Sequence, residues 1–148
     1  MRVKECMSRE VQVATLDETL QEAAKTMAHI DAGFLPIGDG ERLVGVITDR
    51  DIAVRGVAKG LQPDARVREI MSDEVLYCFE DQLTDEVLDN MADIQVRRLP
   101  VVDRNKRLVG VISISDLAEG GGESQAGETL RDIARPSALH SQTLETAT

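Results

Sequence analysis

Aromatic side chains are nearly absent from this chain, whose 148 residues include no tryptophan, one tyrosine and two phenylalanines. A hydrophobic core must therefore be built from aliphatic residues and methionine, and the 42% hydrophobic content is enough for a folded domain. The shortage of rings leaves no visible stacking platform for single-stranded nucleic acid. Basic residues are also scarce, since 27 acids against 17 lysines and arginines give a formal charge of −10. That charge opposes binding to nucleic acid and to anionic membranes, and we expect neither as a partner.

Cysteine, histidine and long apolar runs are equally rare. Cys6 and Cys78 have no cysteine or histidine neighbour at metal-ligand spacing, which predicts reduced thiols, no disulfide framework and no metal site. The two histidines, His29 and His140, have no nucleophile at a recognisable spacing, which favours a protein that is not an enzyme. No apolar run approaches the roughly 20 residues of a membrane span, and the first residues lack the apolar core of a signal peptide. We therefore expect a cytoplasmic protein.

The chain does contain an internal repeat. Residues 45–52 read GVITDRDI, and residues 110–117 read GVISISDL. A shift of 64 residues superposes the segment that follows Met7 on the segment that follows Met71. The shift becomes 65 after the polar turn at 38–41, which is one residue shorter than its counterpart. A register that holds along the whole unit indicates a tandem duplication.

Each repeat has the hydrophobic pattern of a β-α-β-β-α unit. In the first repeat, the alternation of Val11 and Val13 predicts a strand, and apolar residues at helical spacing predict a helix over 20–30. Short apolar runs on both sides of the turn at 38–41 predict a strand hairpin, and a second helix is predicted over 49–59. The predicted fold class is thus α/β (α+β). A unit of about 50 residues cannot bury its own apolar surface, so we expect the two to pack sheet against sheet with ligand clefts between them.

The composition also predicts the boundaries of the units. The first unit is placed at 7–60 and the second at 71–119. A glycine and a proline that follow the last helix of the first unit indicate a connector over 61–70. Residues 120–148 begin with a glycine triplet and continue as a polar tail, which predicts a flexible hinge with one amphipathic patch at 130–134.

The duplicated segment ends a strand on a hydroxyl residue and places an acid three residues later, at the start of a helix. The two copies are Thr48 with Asp51 and Ser113 with Asp116. Unpaired backbone N–H groups and the positive end of the helix dipole favour an anion at such a junction. Helix capping alone uses the same residue types and would explain a single copy. The duplication favours a pair of ligand sites.

These residues resemble the cystathionine-β-synthase (CBS) domain family, whose units occur in tandem pairs called Bateman modules. The resemblance covers 7–119 and rests on the two Gly-h-h-Thr/Ser-x-x-Asp segments and on the Leu-Pro strands upstream of them. The segments around Thr48 and Arg97, and the short chain, are similar to stand-alone bacterial CBS-pair proteins of the hypoxic response protein type. The resemblance implies tandem CBS repeats packed as a pseudo-twofold pair, a homodimer, and a regulatory sensor of adenine nucleotides or adenosyl ligands.

The motif chemistry agrees with a nucleotide. A carboxylate such as Asp51 or Asp116 can accept hydrogen bonds from both hydroxyls of a ribose, and the neighbouring hydroxyl residue can donate to a phosphate. The phosphate also needs a cation, and CBS nucleotide sites often carry a basic residue where this chain has Arg97, whereas the first repeat has Gly33 there. We therefore predict that the cleft of Ser113, Asp116 and Arg97 favours a phosphate, and that the cleft of Thr48 and Asp51 must use Arg50 or do without a cation. An arginine pair on a solvated strand edge is the alternative interpretation of residues 97 and 98.

Apolar residues near the motif are predicted to line the slot for the base, with Tyr77 as the candidate whose ring covers the base. The complete predicted ligand-binding set is Val13, Leu35, Pro36, Thr48, Arg50, Asp51, Tyr77, Arg97, Leu99, Pro100, Ser113, Ser115 and Asp116. The candidate ligands are AMP, ADP, ATP, NAD and S-adenosylmethionine, with Mg²⁺ only as a companion of the nucleotide. No cofactor is required.

Two other functions stay open at this stage. The first is a structural or protein-interaction dimer with empty clefts, because a fold does not guarantee a ligand. The second is an enzyme such as a nucleotide hydrolase, for which the sequence offers neither a base nor a nucleophile. In the favoured hypothesis, a ligand changes the packing of the two units or two subunits and a partner protein responds.

Overall fold

The computed structural model describes residues 1–119, together with 127, 130 and 131. The helices are α1 (Leu20–Ile30), α2 (Asp49–Asp51), α3 (Thr84–Ile94) and α4 (Ile114–Glu119), and the strands are β1 (Phe34–Asp39), β2 (Arg42–Thr48), β3 (Cys78–Phe79), β4 (Arg98–Val102) and β5 (Leu108–Ser113). This order confirms the mixed α/β fold of two tandem repeats. Apart from residues 130 and 131, the predicted patch at 130–134 lies outside the described residues. None of the helices described is long and apolar enough to cross a membrane.

Helix α1 forms where the apolar spacing predicts it. The Thr19 hydroxyl caps its start by accepting the N–H of Glu22 at 3.1 Å, and Ala23 and Met27 bury one face. The helix ends at Asp31, which adopts the left-handed conformation with φ 53°. Helix α3 repeats the buried face and ends at Gln95 in the same left-handed conformation, with φ 56°, but its N-cap residue is Leu83, which makes no side-chain capping hydrogen bond.

Each unit is built on an antiparallel hairpin. Strand β1 pairs with β2, and strand β4 pairs with β5, so that the Leu-Pro dipeptide of each unit lies opposite a Val-Ile dipeptide. In the first hairpin the tight turn requires a left-handed residue, and Gly40 supplies it with φ 65°. In the second, Lys106 adopts that conformation with φ 62°.

The prediction of a strand with Val11 and Val13 on its buried face is wrong. A single parallel bridge joins Ala14 to Ile37, and the structure assigns no strand to residues 9–13. The cause is a shift by one residue, since Ala14 is 2% exposed whereas Val13 is 40% exposed. The second unit follows the same pattern. Its buried residue is Cys78, the counterpart of Ala14, which lies in β3, and β3 pairs in parallel with β4.

The helix predicted over 49–59 is present with mixed hydrogen bonding. Helix α2 continues into a π-helical turn (Ile52–Gly56) and a 3-10 turn (Val57–Lys59). It stops at Gly60, whose φ of 81° is the left-handed conformation typical of a helix C-terminus.

The two units exchange their N-terminal segments. Val3 and Met7 are buried in the core of the second unit, beside Cys78, Leu88 and others. Val67 and Ile70 are buried in the core of the first unit, although the sequence indicated a connector over 61–70. Two short 3-10 turns, Val3–Glu5 and Val67–Glu69, present these side chains. Each core is therefore completed by the segment that leads into the other unit.

Backbone pairs fix this exchange. Ser8 and Val111 exchange hydrogen bonds of 2.9 and 3.0 Å, and Ser72 and Val46 exchange two of 3.1 Å. Glycine is required beside each pair, since a Cβ at Gly110 would lie 2.7 Å from the Ser8 carbonyl oxygen and a Cβ at Gly45 would lie 3.0 Å from that of Ser72. The glycine that begins each copy of the repeated segment thus lies at a close contact with the backbone of the other unit's leading segment.

The two cysteines lie in the core of the second unit as free thiols. Burial raises the pKa of the Cys78 thiol to about 12, and the nearby Cys6 adds to that effect. Burial also raises the pKa of Cys6, and the Asp116 carboxylate raises it further. Both thiols are therefore protonated and weakly nucleophilic at neutral pH.

The close approach at Gly110 can be tested by Gly110→Ala. The added methyl group would meet backbone, so we expect the free energy of unfolding to fall by about 1–3 kcal/mol in urea denaturation. The matched control is Gly127→Ala, because a Cβ there has no heavy atom within 4 Å. Equal stability of the Gly110 variant and the control would contradict the close pairing of Ser8 with Val111.

Candidate functional site

A cleft with a volume of about 550 Å³ lies between the two units. We call it cleft 1. The first unit contributes the ends of its hairpin strands and the start of α2, while the second contributes the segments that precede β3 and β4. Its lining residues are Gly33, Phe34, Val46, Thr48, Asp49, Arg50, Ser72, Glu74, Leu76, Gln95, Val96, Arg97, Arg98, Leu99 and Pro100.

The strand-to-helix junction of the first unit forms a capping box at the edge of cleft 1. The Thr48 hydroxyl accepts the N–H of Asp51 at 3.1 Å, and the Asp51 carboxylate oxygen Oδ2 accepts the N–H of Thr48 at 2.9 Å. The other oxygen, Oδ1, lies 3.9 Å from the guanidinium of Arg55. Capping therefore uses half of the Asp51 carboxylate, and the Thr48 hydroxyl hydrogen remains available for donation.

Three arginines surround cleft 1. Arg50, Arg97 and Arg98 all line it, and within the described residues their side chains form no salt bridge. Two carboxylates, Asp49 and Glu74, line it as well. Asp49 is held in place, because Oδ1 accepts the N–H of Arg50 at 2.8 Å and its backbone N–H donates to Gly33. The wall of this cleft is thus richer in positive than in negative groups in a chain of net charge −10.

A second cleft lies at the equivalent position of the other unit and has a volume of about 160 Å³. We call it cleft 2. Residues at equivalent positions of the repeat line the two clefts. Ser8, Glu10 and Pro36 line cleft 2, and their counterparts Ser72, Glu74 and Pro100 line cleft 1. Its complete lining is Ser8, Glu10, Val11, Gln12, Ile30, Ala32, Phe34, Pro36, Arg98, Val111, Ser113 and Asp116. The clefts are therefore related by the duplication and differ in size.

Cleft 2 repeats the capping box with fewer cations. The Ser113 hydroxyl accepts the N–H of Asp116 at 3.1 Å, and Asp116 Oδ2 accepts the N–H of Ser113 at 3.0 Å. Here Arg98 is the arginine among the lining residues, and it faces two carboxylates, Glu10 and Asp116. The charge balance of cleft 2 is therefore the reverse of that in cleft 1.

The structure corrects the grouping of Arg97 with Ser113 and Asp116. Arg97 lines cleft 1 with Thr48, and the lining of cleft 2 does not include it. The Arg97 carbonyl does accept the N–H of Ile114 at 3.1 Å, so its backbone adjoins the expected junction. The residue nevertheless lines the cleft of Thr48 and not that of Ser113. A residue whose backbone adjoins a motif need not line the same cleft as that motif. The repeat register could predict that the two are adjacent, but not which cleft Arg97 lines.

Tyr77 and Val13 line neither cleft 1 nor cleft 2, and Leu76, the residue before Tyr77, lines cleft 1. The one-residue shift of the first strand in each unit explains both placements, because a shift by one residue exchanges the two faces of an extended segment. Leu35 lies in the core at 1% exposure, and neither Asp51 nor Ser115 is among the residues that line the two clefts.

The remaining predicted residues do line the clefts. These are Thr48, Arg50, Arg97, Leu99 and Pro100 in cleft 1, and Pro36, Ser113 and Asp116 in cleft 2. The sequence interpretation missed Glu74 and Leu76, although both lie just after the repeated Met-Ser pair. Residues two apart in an extended segment lie on the same face, so counting back from the buried Cys78 would have identified Leu76 as a residue of that face.

Comparison with known proteins agrees with this geometry. The CBS domain family matches residues 3–56 and 67–121. The chain belongs to the CBS domain family. Both matches begin near the exchanged 3-10 turns, so each family unit includes the segment that packs in the other core.

The relatives include stand-alone CBS pairs. Hypoxic response protein 1 of Mycobacterium tuberculosis is 40% identical over 126 residues, which cover 84% of this chain and 87% of that protein. The protein YlbB of Bacillus subtilis is 35% identical over 136 residues, or 90% of this chain and 91% of the relative. These relatives are similar to this chain over both of its CBS domains, which confirms the CBS pair that the sequence predicts.

Solved CBS pairs have the same fold. The CBS domain pair of protein MJ0100, solved in complex with 5′-methylthioadenosine and S-adenosyl-L-methionine, has a TM-score of 0.72 and 32% identity over 84% of this chain and 98% of that one. Hypoxic Response Protein I, solved with two coordinated zinc ions, has a TM-score of 0.74 and 38% identity over 80% of this chain and 98% of that one. In the described part of the present chain, no three His, Cys, Asp or Glu side chains are grouped as a metal site requires.

The capping box of cleft 2 makes a stability prediction. Asp116→Ala removes the acceptor of the Ser113 N–H, so we expect the free energy of unfolding to fall by about 1 kcal/mol. Asp116→Asn keeps a side-chain oxygen and should lose less. Urea denaturation of the three proteins checks this order, and a fully stable alanine variant would contradict the capping role.

Proposed function

We propose that this CBS pair is a non-catalytic regulatory module that binds an adenine nucleotide or a related adenosyl ligand, with its phosphate in cleft 1. The observation that carries the proposal is the group of three arginines around the larger of the two clefts, none of which forms a salt bridge with another described residue. The sequence alone favoured the cleft of Ser113 and Asp116 for the phosphate. The position of Arg97 and the charge balance of the two clefts now support cleft 1.

The phosphate end of the ligand is assigned to the start of α2. There the Thr48 hydroxyl can donate to a phosphate oxygen, and Arg50 and Arg97 can form charge-assisted hydrogen bonds with it. Such bonds contribute about 1.5–3 kcal/mol each when well formed. The carboxylates of Asp49 and Glu74 would repel a highly charged triphosphate more than a monophosphate, which favours AMP over ATP unless Mg²⁺ accompanies the nucleotide.

The ribose is assigned to the edge of cleft 1 and the base to one of its walls. Asp51 is not a lining residue, but its capping box with the lining residue Thr48 holds it at that edge, so it stays the proposed ribose acceptor through Oδ1, since capping already uses Oδ2. The base is assigned to the apolar wall formed by Val46, Leu76 and Leu99. Leu76 is half exposed, so covering it with a ring would remove apolar surface from water. In this proposal Leu76 has the role that the sequence gave to Tyr77.

Cleft 2 suits a different ligand. Two carboxylates and one arginine disfavour a phosphate, and a volume near 160 Å³ leaves room for less than a whole nucleotide. An uncharged or cationic adenosyl ligand would be tolerated better, if the cleft opens. The protein MJ0100 structure, which contains both 5′-methylthioadenosine and S-adenosyl-L-methionine, supports adenosyl ligands as a class for such pairs.

A homodimer whose clefts stay empty is the second candidate function. Val54 and Val57 are 43% and 69% exposed on the helical segment that follows Thr48. Exposed neighbouring valines are suited to a contact with a second copy or with a regulated protein. The cleft 1 arginines favour the ligand-binding proposal, and a nucleotide hydrolase stays the weakest candidate because no nucleophile and base pair has been assigned.

Calorimetric titration with AMP, ADP, ATP, NAD and S-adenosylmethionine tests the proposal. We expect saturable binding of at least one of these ligands. Arg97→Gln should lower the affinity for a phosphorylated ligand about tenfold or more and leave the affinity for adenosine nearly unchanged. The matched control is Arg131→Gln, an exposed arginine outside the clefts. Uniformly flat traces would favour the empty dimer, and formation of nucleoside or phosphate product would favour a hydrolase.

The ribose assignment has its own pair of variants in the same titration. Asp51→Asn should weaken binding, whereas Asp49→Asn should leave affinity unchanged or raise it, because Asp49 repels the phosphate. The opposite order would move the ribose to Asp49. Thermal unfolding without ligand shows whether loss of the Thr48 cap accounts for the effect.

A further inference from the structure

Tyr77 lies in a small apolar cavity that is separate from both clefts. This cavity, which we call the ring slot, has a volume of about 130 Å³. Its lining is Arg42, Leu43, Val75, Tyr77, Val102 and Lys106. None of these residues lines cleft 1 or cleft 2. The ring slot is therefore a distinct feature of the second unit and its contact with the first hairpin.

The ring slot adjoins a larger polar cavity. The polar cavity has a volume of about 450 Å³ and is lined by Asp39, Glu41, Arg42, Asn105, Lys106 and Arg107. Arg42 and Lys106 line both cavities. Each contributes a cation at the boundary between an apolar space and a polar one.

These two cations have no acidic partner among the described ion pairs. Glu41, the nearest acid in sequence, pairs with Arg107 at 3.4 Å instead. Asp39 remains as the other carboxylate of the polar cavity and balances only one of the two cations. An unpaired arginine and lysine beside an apolar cavity are suited to a carboxylate.

The Tyr77 ring is held in place from behind. Its centroid lies 5.6 Å from that of Phe79 in an edge-to-face arrangement at 86°. The guanidinium of Arg104 lies over Phe79 at 4.4 Å and pairs with Asp81 at 2.8 Å. Tyr77 is nevertheless 38% exposed, so one part of its ring is free to contact a ligand.

The first unit has different residues at two positions that correspond to the ring slot. The first unit has Val13 at the position of Tyr77 and Glu41 at the position of Lys106. Moreover, a Val13 methyl group lies 3.0 Å from where a Cβ of Gly38 would be, so this part of the first unit is filled by an aliphatic side chain. The aromatic ring and the cation occur together in the second unit.

The volume limits the ligand. A cavity of about 150 Å³ holds one benzene-sized ring, so the ring slot accepts a single ring and is too small for a purine. We propose that Arg42, Lys106 and Tyr77 form a second binding site, which takes a small monocyclic aryl carboxylate. The ring lies against Tyr77 and Val75, and the carboxylate accepts hydrogen bonds from Arg42 and Lys106. This site is independent of the nucleotide site.

Phenylacetate is the probe for this proposal. We expect saturable calorimetric binding to the full-length chain with a dissociation constant of about 1 mM or tighter. Tyr77 is the sole tyrosine and the chain has no tryptophan, so tyrosine fluorescence should change with the same midpoint. Phenylacetamide, which keeps the ring without the charge, should bind at least about tenfold more weakly. Equal affinity for the two compounds, or no binding of phenylacetate, would overturn the proposal.

Variants separate the cations from the ring. Lys106→Asn keeps a residue that tolerates the left-handed conformation, and Arg42→Gln keeps the backbone of β2, so both should fold. Each should raise the dissociation constant for phenylacetate about tenfold or more, and Tyr77→Ser should do the same. The control Arg131→Gln should leave that dissociation constant unchanged. Saturating AMP should leave phenylacetate binding unchanged. Competition by AMP, or unchanged binding in all three site variants, would refute a separate site.

Discussion

The exchange of N-terminal segments between the two repeats is the constraint on which the rest of the structure depends. Backbone hydrogen bonds join Ser8 to Val111 and Ser72 to Val46, so neither hairpin can move without the other unit's leading segment. The same segments bury Val3 and Val67 in the opposite cores. Both clefts take part of their lining from these crossings, since Ser72 lines cleft 1 and Ser8 lines cleft 2. A ligand in either cleft would therefore contact both units.

This arrangement gives a physical route from ligand to response. A ligand that binds better to one relative packing of the units shifts the population toward it, by no more than its difference in affinity for the two packings. The exposed Val54 and Val57 follow directly on the Thr48 junction, so they are suited to carry such a change to a partner. Cleft 1 and cleft 2 would respond to different ligands, because they differ in both volume and charge balance.

Much of this could be predicted from the sequence. The repeat register identified the hairpins and the helices that follow them, because those features depend on local residue types that were duplicated together. The capping boxes are what the alternative interpretation of the duplicated segment describes, namely helix capping. The first strand was misjudged because Val11 and Val13 have the alternation of buried residues, while tertiary packing buries the smaller Ala14 instead. A single-residue shift then placed Tyr77 where Leu76 belongs. Local hydrophobicity contains no information about which neighbour the core can accommodate.

The grouping of Arg97 was beyond sequence reasoning for another reason. The backbone of Arg97 adjoins the Ser113 junction through its hydrogen bond with Ile114, yet Arg97 lines cleft 1, which is formed by both units. Amide chemical shifts of labelled protein during an AMP titration test the central claim most directly. We predict that the largest shifts fall on residues 48–51 and 96–98. Shifts confined to residues 113–116 would contradict the assignment of the phosphate to cleft 1.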